Sequence, residues 1–181
     1  MTATATSPPI AGGNVYDKYG SRNPVERRLV DGFLTELERL AMGTGAREVH
    51  EVGCGEGELL LRLARRGLRA RGSDISTLDP DQDSAQLILC CEVMEHVADP
   101  RAALEIIARL ASPWAIVSVP REPLWRVLNL GRLKYLRELG NTPGHLQHWS
   151  RSSFVRFLQQ HLEVVAVRSP LPWTMALCQA E

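Results

Sequence analysis

The chain has 181 residues, 44% of them apolar and 23% charged, with 21 basic residues balancing 21 acidic ones. That length suits one domain with a sizeable core, and the composition is ordinary for a globular protein in water. A net charge of zero removes any global attraction to nucleic acid. The cysteines, Cys54, Cys90, Cys91 and Cys178, form no C-x-x-C pair, so neither a zinc module nor a disulfide framework is indicated and a reducing, cytoplasmic setting is expected. No apolar run is long enough to span a bilayer.

Residues 1–14 are rich in Thr, Ala, Ser, Pro and Gly. They read as a disordered leader, and residues 15–181 as a single domain. Tyr16 and Tyr19 follow and either cover a ligand or simply pack. Asn23-Pro24-Val25-Glu26 has the chemistry of a helix start: an amide cap, a proline in the first turn, and a glutamate three places after the cap. Leu29, Val30, Phe33, Leu34, Leu37 and Leu40 hold helical spacing up to Gly43.

Glu48 to Val52 reads as a short buried strand. Gly53-Cys54-Gly55-Glu56-Gly57 then bends the chain, and Glu58-Leu59-Leu60-Leu61 begins a helix. Alternate glycines allow a sharp turn and remove side chains that would block a ligand, while the helix start points its N–H groups into the cleared space. Strand, bare turn and helix start make a nucleotide-sized seat. Leu59, Leu60 and Leu63 mark the inner face of that helix. A weakly apolar strand, Arg69 to Ser73, then ends in Asp74.

Leu87 to Cys91 is a continuous apolar strand of the parallel-sheet kind, followed by Glu92-Val93-Met94-Glu95-His96. Asp99-Pro100 caps a helix with Ala103, Leu104, Ile107 and Leu110 inside, and Trp114 to Val119 forms the next strand. In 121–149, leucines and Trp125 alternate with Arg126, Arg132, Lys134 and Arg137, which reads as an amphipathic helical insertion closed by a Gly140–Gly144 turn. Ser150 caps a last helix. Val164–Val167 and Trp173–Cys178 are strands whose short Ser169–Pro172 link requires an antiparallel pair.

The glycine turn, the strand-ending acid, the Glu-His after the next strand and the terminal antiparallel pair together resemble the class I S-adenosylmethionine-dependent methyltransferases, particularly the small-molecule type with an E-V-x-E-H-V sequence. The resemblance runs from Tyr16 to the C-terminus. It implies a Rossmann-like three-layer α/β sandwich with a mostly parallel sheet. The spacing G-x-G-x-G lacks the last glycine of G-x-G-x-x-G, which counts against a nicotinamide cofactor.

By that resemblance S-adenosylmethionine is the cofactor. Gly53, Cys54, Gly55 and Gly57 would face its methionine and ribose parts, and Glu51 would steady the turn or the amino group. Asp74 would accept from the ribose hydroxyls and Ile75 would lie on the adenine. Cys91 and Glu92 would stand at the topological switch point. The family also places a helix and a strand between the positions of Asp74 and Leu87. This chain has no room for them, so one edge strand and one helix should be missing. Asp79, Asp81 and Asp83 then lie where an adenine contact is lost, either replacing it or forming a solvated acidic loop.

Methyl transfer needs alignment and, for a tightly held proton, a base. His96 is the first candidate, although a histidine there also serves to fix a helix start. His145 is the second, and His148 lies in the same loop. Glu92, Glu95, His96 and His145, with His145 four residues before Trp149, are also similar to the metal-assisted small-RNA ribose methyltransferases, where two carboxylates and two imidazoles hold a divalent ion. Metal-free relatives share the Glu-His, and no metal is assigned. The expected acceptor is a small molecule, methylated on oxygen, with no nucleic acid partner. The insertion is expected to act as a lid, with a peripheral contact to anionic lipid as a further expectation. The other readings are a non-catalytic cofactor-binding partner protein and a nicotinamide-dependent enzyme.

Overall fold

The computed structural model describes residues 23–55, 57–74, 77–79 and 81–180. The expected leader, Tyr16, Tyr19 and Ile75 lie outside them. Among the described residues six strands form one sheet: β1 (Glu48–Val52), β2 (Arg69–Ser73), β3 (Ala85–Cys91), β4 (Ala111–Pro120), β5 (Glu163–Arg168) and β6 (Trp173–Gln179). Their order is β2-β1-β3-β4-β6-β5. The first four run parallel, and β6 is antiparallel to both of its neighbours. Helices α1 (Pro24–Gly43), α2 (Glu58–Arg65), α3 (Pro100–Leu110), α4 (Leu124–Gly131) and α5 (Arg151–Leu158) complete the chain order.

Alternation along β3 builds the three layers. Leu87, Leu89 and Cys91 join Phe33, Leu34 and Leu37 of α1 and Leu59 and Leu63 of α2 in one core. Ile88 and Cys90 face Leu104, Ile107 and Leu110 of α3 and Phe154 and Leu158 of α5 in the other. A strand with both faces covered is what a continuous apolar run provides. Local chemistry sets the helix starts. The Asn23 side chain accepts from the Val25 and Glu26 N–H groups, Asp99 from Ala102, and Ser150 from Ser153. Glu38 on α1 binds Arg62 of α2 and Arg66 just beyond it. Burial alone would raise its carboxyl, but the two guanidiniums outweigh that and hold it low.

Among the described residues the sheet ends at β2, and neither a strand nor a helix intervenes before β3. The link is a tight turn tied to itself. Asp83 accepts from the Asp79 N–H at 2.8 Å, and Asp79 accepts from the Asp81 N–H at 3.0 Å and from Gln82 at 2.9 Å. The carboxylates of Asp79 and Asp83 therefore serve the turn itself. Asp83 also approaches the buried His50 at 3.6 Å, and His50 meets Ser73 at 2.9 Å.

Two expectations need correction. Strands β3 and β4 begin earlier than the apolar runs suggest, because Ala85 already pairs with Ala111 across a bulge next to Pro113. The helical reading of 121–149 holds only for Leu124–Gly131. Beyond it the chain makes turns, with Leu133, Tyr135 and Leu139 at left-handed φ, and its leucines are exposed rather than packed.

Candidate functional site

Sheet order reverses between β1 and β3, so the crevice beyond their carboxyl ends is where an open α/β sheet holds a ligand. Gly53, Gly55 and Gly57 all take left-handed φ there, at 76°, 48° and 76°, a conformation that costs a side-chain-bearing residue about 1–2 kcal/mol. The Gly53 N–H donates to the Ser73 carbonyl at 2.8 Å and the Gly57 N–H to the Cys54 carbonyl at 2.8 Å. The turn thus leans on the end of β2, next to Asp74. A Cβ on Gly55 would meet nothing within 4 Å, so the turn borders open space.

Glu51 is buried at 4% exposure at the end of β1, while Asp74 is exposed. Burial, then the carboxylate of Glu51, then that of Asp74 push the Cys54 thiol up. Glu51 lies near the end of β1 and Asp74 follows the parallel neighbour β2, so both stand at the end of the sheet where the glycine turn begins, and Cys54 is held as a thiol. Cys91 is buried in the core beside α1. Glu92 has left-handed φ at 61°, a strained position of the kind that concentrates at sites, and accepts from the Trp173 indole at 2.6 Å.

The distal end of the 121–149 segment docks on the turn after β3. Leu146 and Gln147 donate their N–H groups to the Glu95 carbonyl at 2.7 and 3.0 Å, and the Gln147 amide donates to Val97. This brings His145 onto His96, with ring centroids 4.8 Å apart and nearly perpendicular planes. Trp125 stacks on His145 at 6.0 Å and contacts Trp173 at 5.9 Å. Glu95, His96 and His145 are all buried, and one ligand atom from each lies within 4.8 Å of the others. Glu92, the fourth member of the expected set, is instead engaged by Trp173. His148 is exposed and bonded to Asn141.

His96 Nδ1 lies 2.9 Å from the Gly144 carbonyl. A carbonyl only accepts, so Nδ1 carries a proton and Nε2 is the ring nitrogen left for other work. Burial, followed by His96 and His148, lowers His145 to about 4, so it is neutral near pH 7. Trp125 and Trp173 are the site residues that sequence reasoning missed. Trp173 opens a core-like strand, and only its pairing with Pro120 at the end of β4 brings it to Glu92.

The low value for His145 has a testable sign. The folded state resists a proton that the unfolded chain accepts near pH 6.5, so stability is full above that value and falls as the pH drops towards 4. The loss is on the order of 3 kcal/mol. Denaturant titrations across this range should show the His145→Gln chain with a shallower decline than wild type.

A parallel sheet reversing at a glycine turn, an acid after the second strand and a terminal antiparallel pair define the Rossmann-like methyltransferase class. Residues 25–166 match the model of a methyltransferase domain, and the chain belongs to that family, one of class I S-adenosylmethionine-dependent methyltransferases. Among curated relatives, the ubiquinone biosynthesis O-methyltransferase of Alkalilimnicola ehrlichii is 26% identical over 151 residues, covering 61% of each chain. The protein of the same name from Psychrobacter cryohalolentis is 26% identical, covering 52% of this chain and 49% of its own. The chain thus spans half to three fifths of these relatives. Among solved structures, magnesium protoporphyrin IX methyltransferase from Synechocystis PCC 6803 with bound S-adenosylhomocysteine superposes at TM-score 0.64, with 16% identity and 91% of each chain covered. The N-methyltransferase NodS from Bradyrhizobium japonicum WM9 superposes at 0.57, with 18% identity and 92% and 93% covered. These last two establish the fold.

Proposed function

We propose that the chain transfers the methyl group of S-adenosylmethionine to a small-molecule acceptor, on oxygen. The observation that carries this reading is the side-chain-free turn of Gly53, Gly55 and Gly57 at the sheet end where β1 carries Glu51 and Asp74 follows β2. These residues fit the cofactor: Asp74 would offer two oxygens to neighbouring ribose hydroxyls, Glu51 would steady the turn or the amino group, and the bare turn leaves room for the nucleoside. Bound there, the cofactor supplies an electrophilic methyl sulfonium. Oxygen as the acceptor atom rests on the O-methyltransferase relatives.

The chain's own contribution is alignment and proton handling. The 121–149 segment covers the end of β3 and shields it from water. His96, with Nδ1–H fixed on Gly144, presents Nε2 to the acceptor hydroxyl and takes its proton. His145, held near 4, is a poor base and orients His96 instead. The test is turnover of S-adenosylmethionine to S-adenosylhomocysteine across a panel of hydroxylated metabolites. Turnover with one of them supports the reading. Tight cofactor binding with no turnover on any of them favours a non-catalytic partner protein, a reading motivated by the shortened sheet edge.

A second reading is favoured by the cluster of Glu95, His96 and His145. One carboxylate and two imidazoles would hold a divalent ion, with the Gly144 carbonyl fixing the ligating ring of His96. Such an ion lowers the pKa of a bound hydroxyl. Chelator treatment should then abolish turnover, and adding back a divalent metal should restore it and raise the unfolding temperature. Unchanged turnover after chelation removes the metal.

A further inference from the structure

Residues 124–142 form a knob with inverted polarity. Its buried side chains are polar: Asn129 and Thr142 are 6% and 2% exposed, and Asn129 donates to the Gly140 carbonyl at 2.9 Å. Its outside is apolar, with Leu133 at 77% exposure, Leu139 at 72%, Val127 at 59% and Leu136 at 53%, joined by Leu128 and Leu130. These six are half of the large exposed hydrophobic residues among the described residues. Single exposed leucines need no explanation, but a cluster of them does.

The knob is a built feature. The Lys134 N–H donates to the Asn129 carbonyl and the Gly140 N–H to the Tyr135 carbonyl, both at 2.8 Å. A Cβ on Gly140 would come within 2.4 Å of the Arg126 carbonyl oxygen, so the turn closes tightly on α4. The leucines are therefore held outward.

We propose that this face docks on an anionic lipid surface. Within 124–139 the leucines are interleaved with Arg126, Arg132, Lys134 and Arg137, and the single acid is Glu138. Most of that charge is answered from nearby, since Arg132 pairs with Glu26, Lys134 lies 4.0 Å from the same carboxylate, and Arg126 lies 3.6 Å from Glu122. Cations remain in excess, and Arg27 and Arg28 are exposed in the same turn of α1 as Glu26. Apolar side chains that enter the acyl boundary while long cationic stems reach the headgroups are the composition of an interfacial segment. A protein-binding face would instead be expected to offer aromatic anchors. Here Trp125 is turned inward onto His145 and Tyr135 is half-buried.

This inference does not rest on the proposed reaction, so either can fail alone. The experiment is cosedimentation of the full chain with vesicles of phosphatidylcholine, with and without phosphatidylglycerol, at low and high salt. Wild type should bind the anionic vesicles about tenfold better than the neutral ones, and salt should erase most of that preference. The Leu133→Ser/Leu139→Ser double variant alters exposed residues and should fold normally. It should lose about tenfold in binding, and Arg137→Glu should weaken binding at low salt only. Folded wild-type protein left in the supernatant would overturn the proposal, as would a double variant that binds like wild type. Equal binding to both vesicle types overturns the anionic preference. A dimer in ultracentrifugation that the double variant dissolves would assign the face to a second copy of the chain.

Discussion

Replacing Asp74 by alanine is expected to weaken S-adenosylhomocysteine binding by about two orders of magnitude with little change in unfolding temperature. The carboxylate is exposed at the carboxyl end of β2, so its removal leaves no cavity in the core, and surface changes of that kind stay within about 0.5 kcal/mol. Binding is different. Two neighbouring hydroxyls would lose a charged acceptor together, and charge-assisted hydrogen bonds contribute about 1.5–3 kcal/mol each. Asp74→Asn keeps the shape and one acceptor oxygen and should fall between the two. Calorimetric titration of the three chains checks the order. Equal affinities across the series would remove Asp74 from the cofactor site.

Gly53→Ala is expected to damage both stability and binding. The position has φ of 76° and donates its N–H to Ser73, so alanine incurs left-handed strain of about 1–2 kcal/mol. Its Cβ would also lie 2.6 Å from a methyl of Val93, which is 8% exposed in the core facing α3. Together these should cost about 3 kcal/mol and move the turn away from the cofactor. The Val93→Ala background separates the two terms. It should relieve the contact but not the strain, so the double variant should be more stable than the sum of the single effects allows. Simple additivity in urea melts would show that the contact relaxes without cost.

Most of the fold was legible because each local signal had a physical partner. Asn23, Asp99 and Ser150 cap helices through their own side chains, and the short link at Ser169–Pro172 forces the antiparallel pair. The short stretch after Asp74 disclosed the shortened edge. The insertion was misjudged because leucine spacing reports amphipathicity without saying whether the apolar side meets protein. Around the site, residue types singled out His96 and His145, but their contact depends on backbone bonds from Leu146 and Gln147 to Glu95, which no spacing encodes. The same holds for Trp173 and Glu92, far apart in the chain and joined only by strand order.

The turn of Gly53, Gly55 and Gly57 with Asp74 is proposed to seat one nucleoside. Titration calorimetry of the wild-type chain with S-adenosylhomocysteine tests it most directly. One saturable site per chain is the predicted result. A folded protein that gives no binding heat up to about millimolar ligand, and no thermal shift, would contradict it.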